Sequence, residues 1–565
     1  MCDVLPRRRL TIMRKRVLIV GGVAGGASCA ARLRRLDESA EIVVFDRGPY
    51  ASFANCGLPY FVGDVISDQK KLVVASAQLF RDRFDIAIRT RHEVLSIDRA
   101  GRTIRVRDLE QATERDEPYD ALVLSPGAAP IRPPLPGIDL PGIFAVRTIP
   151  DSVRIRRWID EHAPQRAVVV GGGFIGLEMA ENLAHRGIAV TVLEKLPQVM
   201  PPLDAEIAAA VADHLRERGV TLHLGDGLAA FAQAGKGITV RTESGAELPA
   251  DLVILSIGVR PETQLAHDAG LALGARGGIA VDAEMRTVDP HVWAVGDAVE
   301  VRDVLTGQEL IVPLAGPANR QGRLAAESIA GRGRPFRGVQ ATAVVGVFGL
   351  TVACTGASEK GLQRAGVTAF ERVYLHPGQH AGYYPGAKPI QLKLLFGVPD
   401  GRVLGAQAVG LEGVEKRIDV IAMAIQMGAT VRDLAEAELC YAPQFGAAKD
   451  PVNLAGMIAV NHLDGLMPLA RWDALGDRLL LDVREPDEFA AGHVEGAVNV
   501  PLSQLRVRYG ELPRERALAV YCAAGQRGYY ATRFLVQNGY DAANLSGGYT
   551  TYRALRSAGL APASP

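Results

Sequence analysis

Six cysteines, Cys2, Cys29, Cys56, Cys354, Cys440 and Cys522, are the residues best suited to redox chemistry in this chain. They show no C-x-x-C spacing and no partner histidines at zinc-ligand spacing, so neither a dithiol couple nor a metal site is expected. Nor does the pattern suggest a disulfide framework in a reducing compartment. Individual thiols remain. Cys56 stands alone in "SFANCGLPYF", between an asparagine and a glycine, shortly after a strand that ends in an acid. A lone cysteine cannot expel its substrate by closing an internal disulfide, so the partner thiol must come from the substrate. To attack, it must also be a thiolate. Cys29 on the apolar face of a helix, Cys354 in the strand-like "TVACTG" and Cys440 beside Tyr441 read as structural thiols.

The elements that must position such a thiol can be read from the glycine turns. "RVLIVGGVAGGASCAARLRRLDESAEIVVFD" reads as strand, glycine turn, helix, strand, with Gly21 and Gly26 in the turn and Val23 at the middle glycine position. Asp46, ending the second strand 20 residues after Gly26, is placed to accept from a ribose hydroxyl. "RAVVVGGGFIGLEMAENLAHRGIAVTVLEK" repeats the unit with Gly171, Gly173 and Gly176 in full G-x-G-x-x-G spacing and Glu194 ending its second strand. Such turns let phosphates approach the N–H groups at a helix N-terminus. A carboxylate at position 194 favours a free 2′-hydroxyl, hence NADH, while the adjacent Lys195 leaves NADPH possible. Two units imply two dinucleotides, economically a bound flavin and a diffusing nicotinamide.

The 565 residues are too many for one core. Sixty-three basic against 63 acidic residues leave no net field, so nothing points to nucleic acid. The basic stretch "PRRRLTIMRKR" reads as a solvated tail, and residues 1–12, before Met13, as an upstream extension. No apolar run reaches the ~18 residues needed to span a bilayer, so a cytoplasmic protein without membrane contact is expected.

A family resemblance extends this reading. "TVDPHVWAVGDAV", with Gly296 and Asp297, resembles the second FAD-contacting motif of two-dinucleotide flavoprotein reductases, where the aspartate binds the ribityl chain. "ALVLSPGAAP", with Ser125 and Gly127, resembles the crossover between their domains. The implied fold is α/β: an FAD-binding domain in two parts (13–150 and 281–332), an NAD(P)H-binding domain (151–280), both Rossmann-like, and an α+β dimerisation domain (333–462). Cys56 lies where these proteins bring a redox residue against the flavin. Dithiol members place C-x-x-x-x-C there, but position 61 is Phe. The single-cysteine branch includes NADH oxidases and peroxidases, which cycle a sulfenic acid, and coenzyme A-disulfide reductases. "SFANCGLPY", "YYPGAKPIQLKL" and "CYAPQFGAAKDPVNLAGM" resemble the last group over roughly residues 14–460. That resemblance implies a homodimer in which Tyr383 (or its neighbour Tyr384) and Tyr441 reach the other subunit's site, where a hydroxyl could protonate a departing thiolate. It implies coenzyme A contacts at Ser28, Arg32, Arg35, Ser52, Asn55, Asn319 and Lys449. Position 84, where the resemblance leads to the expectation of a lysine, is Phe, with Arg81 and Arg83 nearby. Position 32 is Arg where some members have Gln.

Near residue 463 the pattern restarts. "DVREPDEFAAGHVEGAVNVP" and the C-x-x-G-x-R loop beginning at Cys522 resemble a single rhodanese domain, 466–565, of α/β class. Here a cysteine at a strand end enters a helix through small residues, so N–H groups of Ala523, Ala524, Gly525 and Gln526 could cradle a thiolate or persulfide. Arg527 adds charge and orients the loop. Together these features imply an FAD-dependent NAD(P)H reductase of coenzyme A disulfide, coenzyme A persulfide or polysulfide at Cys56, coupled to sulfane-sulfur handling at Cys522. The alternatives are an NADH oxidase or peroxidase with a sulfenic Cys56, or a sulfur-relay carrier that delivers persulfide to a protein partner.

Overall fold

A computed structural model describes residues 14–560; Cys2, the start of the basic stretch and the extension 1–12 lie outside the described residues. The chain forms two compact units. One takes in the chain to Ile131, Val146–Arg156 and Val259–Val339; the other takes in Arg132–Ala145, Arg157–Gly258 and the chain from Gln340 onward.

In the first unit the apolar run after Arg16 becomes the middle strand of a parallel sheet. Its order is Val292–Ala294, Ala121–Leu124, Arg16–Val20, Glu41–Asp46, Ile86–Thr90. Val17, Leu18 and Ile19 are fully buried, as expected of a strand covered on both faces. Helices Ala24–Arg34 and Ala315–Ile329 pack closely: a Cβ at Gly322 would stand 2.2 Å from the Gly25 carbonyl oxygen. Cys29 is buried in this layer, which pushes its thiol up to about 12 and keeps it protonated.

The second unit repeats the plan. Its parallel sheet runs Thr221–Leu224, Ala189–Glu194, Arg166–Val170, Leu252–Leu255, Ile143–Ala145. The two glycine turns are built alike. A Cβ at Gly21 would lie 2.0 Å from the Ser125 carbonyl oxygen, and one at Gly171 would lie 2.4 Å from that of Ser256. Both glycines have φ in the left-handed region, so no other residue fits without strain.

The same unit holds an antiparallel sheet ordered Ala343–Val347, Leu350–Gly356, Val403–Gly410, Ile390–Gly397, Phe370–Leu375. Cys354 lies in it, its thiol raised to about 11 chiefly by burial. After the helix Pro451–Leu463 comes a third parallel sheet: Leu469–Ala470, Ala542–Leu545, Leu518–Tyr521, Leu479–Asp482, Val498–Asn499. The protein is therefore α/β with an inserted α+β layer. Among the described residues no helix is long and apolar enough to cross a membrane.

Candidate active sites

The glycine turns share one local device. Asp46 accepts from the Gly22 N–H at 2.9 Å and the Gly48 N–H at 2.8 Å. Glu194 accepts from the Gly172 N–H at 2.7 Å and the Leu196 N–H at 2.8 Å. Each carboxylate is thereby fixed beside its turn. Burial raises the Asp46 carboxyl above its ordinary value, against the pull of the two amides. Glu194 is 8% exposed. Lys195 turns to Glu243 at 2.9 Å. A Cβ at Gly227 would fall 2.4 Å from the Glu243 carboxylate carbon, so that glycine makes room for the acid.

Helices Ala24–Arg34 and Phe174–His185 both begin with no side-chain cap and no acid in the first turn. Nothing lies within 4 Å of where a Cβ on Gly173 would stand. Uncapped amides beside an open backbone fit a pyrophosphate in each turn. Around the first turn, Gly296 donates its N–H to the buried Gln321 Oε1 at 2.7 Å, and Asp297 meets the Arg147 guanidinium at 3.3 Å. A Cβ at Gly127 would stand 2.9 Å from that same guanidinium, and one at Gly25 would stand 2.9 Å from Ser125 Oγ. Ser125, Gly127, Gly296 and Asp297 are thus gathered together. Arg147 and Gln321, which carry no motif, join them.

Cys56 sits in the single 3₁₀ turn Asn55–Gly57, directly before the helix Leu58–Val62, with its thiol exposed. Backbone hydrogen bonds tie this segment to its neighbours. Ser52, at φ 49°, donates its N–H to the Gly22 carbonyl at 2.7 Å, and Ala54 donates to the Leu72 carbonyl at 2.8 Å. The cysteine is therefore fastened to the first dinucleotide turn itself. Asn55 Oδ1 is buried without a protein partner, an acceptor left for a donor from outside the chain. Across the two packed helices, Ser28 Oγ donates to Asn319 Oδ1 at 2.6 Å, and Arg32 pairs with the buried Glu327 at 2.7 Å. Arg35 caps the C-terminus of the first helix. Phe84 packs against the core beneath, while Arg81 and Arg83 face outward.

In the second unit, the Tyr383 and Tyr441 hydroxyls meet at 2.5 Å, although the side chains are 75% and 47% exposed. That bond, more than burial, raises Tyr383 above its ordinary value, so its proton is retained at neutral pH. Tyr384 instead stands edge-on to His380, at 5.5 Å between ring centres. Lys449 is exposed beside Asp450, which holds the buried Arg417 at 2.8 Å.

Cys522 follows the strand Leu518–Tyr521, and its Sγ accepts from the Gly525 N–H at 3.1 Å. Gly525, at φ +101°, then opens the helix Gln526–Gln537, which has no side-chain cap. Arg527 does not donate to the sulfur. It forms a two-pronged pair with Glu488, at 2.6 and 2.7 Å, that pins the helix start. The pair pulls the Glu488 carboxyl down to about 2. Ala523 and Ala524 lie in the loop between, and the Ala523 carbonyl accepts from the Thr550 N–H at 3.0 Å.

Two glycine-turn sheets, a thiol fastened to one of the turns and a dimerisation-type antiparallel layer define a two-dinucleotide flavoprotein reductase. The chain belongs to the pyridine nucleotide-disulphide oxidoreductase family: residues 15–322 match that family's model and 342–450 its dimerisation domain, while 469–555 match the rhodanese-like domain. The family uses FAD and NAD(H). The coenzyme A disulfide reductase of Staphylococcus haemolyticus is 35% identical over 79% of this chain and 99% of its own length. Reduced Bacillus anthracis CoADR-RHD superposes with a TM-score of 0.94 at 46% identity, covering 96% of this chain and 98% of that one. An NAD-dependent persulfide reductase from A. fulgidus gives 0.89 at 37% identity, covering 95% and 99%.

Proposed function

We propose that this protein is an FAD-dependent NADH reductase of coenzyme A disulfide and coenzyme A persulfide, working through Cys56 and coupled to sulfane-sulfur handling at Cys522. The observation that carries the reading is the lone, exposed Cys56 thiol fastened through Ser52 to the first dinucleotide turn. Likeness along almost the whole chain to a protein with the same domains supports it.

The Cys56 thiolate attacks one sulfur of coenzyme A disulfide, a coenzyme A thiolate leaves, and a mixed disulfide remains. With the persulfide, attack on the carbon-bound sulfur expels hydrosulfide and gives the same mixed disulfide. The first glycine turn, with Ser125, Gly127, Gly296 and Asp297 beside it, would hold FAD, which when reduced by NADH would supply the electron pair needed to return Cys56 to its thiolate. Ser28, Arg32, Arg35, Ser52, Asn55, Asn319 and Lys449 hold coenzyme A, with Asn55 directly preceding Cys56 in the 3₁₀ turn. Tyr383 and Tyr441, contributed by the second subunit of a homodimer, protonate the leaving thiolate through their shared hydrogen bond. At the other centre, Cys522 takes the outer sulfur of thiosulfate, sulfite leaving, and passes it from the resulting persulfide to a thiol. The cytoplasm, where thiols stay reduced, suits both cysteines.

Steady-state NADH oxidation by the purified, FAD-loaded protein tests this. Coenzyme A persulfide and disulfide should turn over, and a coenzyme A adduct should appear on Cys56 by mass. Turnover of hydrogen peroxide faster than any sulfur substrate would overturn the reading in favour of a sulfenic peroxidase.

A further inference from the structure

The loop that shapes the Cys522 site is held from outside its own domain. After the strand Ala542–Leu545 come Ser546 and Gly547, and then the helix Gly548–Ser557. The first amides of that helix hold the cysteine loop: Tyr549 N–H donates to the Cys522 carbonyl at 2.8 Å and Thr550 N–H to that of Ala523 at 3.0 Å. A Cβ at Gly548 would stand 2.3 Å from the Cys522 carbonyl oxygen, so the two backbones are in close contact.

The other side of this segment rests on the strand Phe370–Leu375 of the antiparallel sheet. The Tyr374 N–H donates to Ser546 Oγ at 2.7 Å, and that hydroxyl donates back to the Tyr374 carbonyl at 3.3 Å. His376 Nε2 and Thr551 Oγ1 are hydrogen-bonded at 2.9 Å. A Cβ at Gly547 would lie 2.7 Å from Tyr374 Cβ. Adjacent glycines therefore bring one loop against both Tyr374 and Cys522.

Tyr374 is in turn fixed. Its hydroxyl donates to Glu206 at 2.7 Å, and Glu206 also meets the Lys393 ammonium, which is 0% exposed and lies 2.8 Å from Asp204 and 2.6 Å from Glu359. Burial opposes the charge on Lys393, and the surrounding carboxylates outweigh it and raise its pKa. The ammonium occupies the centre of this acid cluster. An ammonium whose three donors each meet a carboxylate holds one geometry, because moving it strands a buried charge.

We propose that Tyr374 and His376 are positioning residues for sulfur transfer at Cys522. By clamping Ser546–Thr551 they set where the cysteine loop carbonyls point, and so where its N–H groups lie around Sγ. The donor at 3.1 Å from Sγ is sensitive to such displacement, since shifts of about 1 Å at a reacting centre cost up to roughly a hundredfold in rate. The sulfur-transfer site is thus completed by the dimerisation layer rather than contained in the rhodanese-like domain.

The test uses the full-length, FAD-loaded protein and thiosulfate with cyanide as the probe: the outer sulfur passes to Cys522 as sulfite leaves, and cyanide takes it as thiocyanate. His376→Ala and Ser546→Ala should each lower this turnover roughly tenfold. The rate of Cys522 alkylation at fixed pH, followed on its own peptide by mass spectrometry, should fall as the Gly525 N–H is drawn from Sγ. His376→Gln, which keeps a nitrogen within reach of Thr551, should restore both. NADH-dependent reduction of coenzyme A disulfide should stay within about twofold of the parent. Parent-like turnover and alkylation rate in His376→Ala would overturn the proposal. So would a Gln variant as impaired as the Ala variant. The sulfur-transfer assay involves neither NADH nor Cys56, so its outcome is independent of the reading of the reductase site.

Discussion

Cys56 has no second cysteine in its segment, and Phe61 occupies the place where dithiol relatives carry one. Its chemistry therefore depends on a thiol brought by the substrate. Cys56→Ser should keep FAD, because the turn at Gly21–Gly26 is untouched, and should lose NADH-dependent disulfide and persulfide reduction by roughly a hundredfold or more. Flavin absorbance and steady-state rates check both halves; rates within tenfold of the parent would exclude the mechanism. Nicotinamide choice is also set by single residues. Glu194 is fixed by two amides, and the adjacent Lys195 ammonium is held by Glu243. The parent should therefore prefer NADH. Glu243→Gln should release Lys195 and raise kcat/KM for NADPH by about two- to fivefold, the size of an exposed ion pair, with NADH little changed. An unchanged NADPH value would show that Lys195 does not reach the cofactor.

At the scale of elements, the helix Gln526–Gln537 must start at a defined place for its N-terminus to face Cys522. Gly525 supplies the left-handed turn, and Arg527 with Glu488 pins the start. The Glu488 carboxyl falls from the ordinary 4.5 to about 2 in the folded state, principally through its hydrogen bonds with Arg527. Its contribution to stability is thus complete above about pH 4.5 and is lost as pH falls toward 2. The difference in Tm between the parent and Glu488→Gln should be largest above pH 4.5 and close on acidification; a constant difference would mean that the pair contributes no pH-linked stability. Two cysteine-bearing elements also predict separable activities. Cys522→Ser should abolish sulfur transfer from thiosulfate and spare coenzyme A-disulfide reduction. Parallel loss of both in folded, FAD-loaded protein would instead indicate an obligatory relay.

At the scale of the whole molecule, the match to a dimerisation domain points to a homodimer. Tyr383, Tyr441 and Phe445 expose aromatic surface on the antiparallel layer, and the dimerisation-domain match covers residues 342–450. On the proposed reading, a proton donor supplied across a two-fold axis would make assembly and activity inseparable. Sedimentation velocity should show a dimer wherever activity is full. Tyr441→Phe should preserve the dimer and flavin reduction by NADH while slowing substrate reduction by roughly tenfold or more. A fully active monomer would contradict the shared site.

Much of this was legible in the residues. The glycine turns, Asp46, Glu194, the lone Cys56 and the loop at Cys522 all depend on short stretches whose backbone conformation is local, so their spacing carries the information. Tertiary structure decided what distant segments do to one another. Arg147 reaches Asp297 and Gln321 reaches Gly296 across the chain, and Ile143–Ala145 becomes an edge strand of the second sheet. Tyr383 rather than Tyr384 pairs with Tyr441, because only one of the adjacent side chains can face that hydroxyl while the other packs on His380. Lys393 reads as an ordinary strand lysine in sequence. Its burial among three carboxylates, and the hold of Tyr374 and His376 on the Cys522 loop, arise only when distant chain segments pack, since side-chain charge pairing over such separations leaves no periodic trace in the sequence.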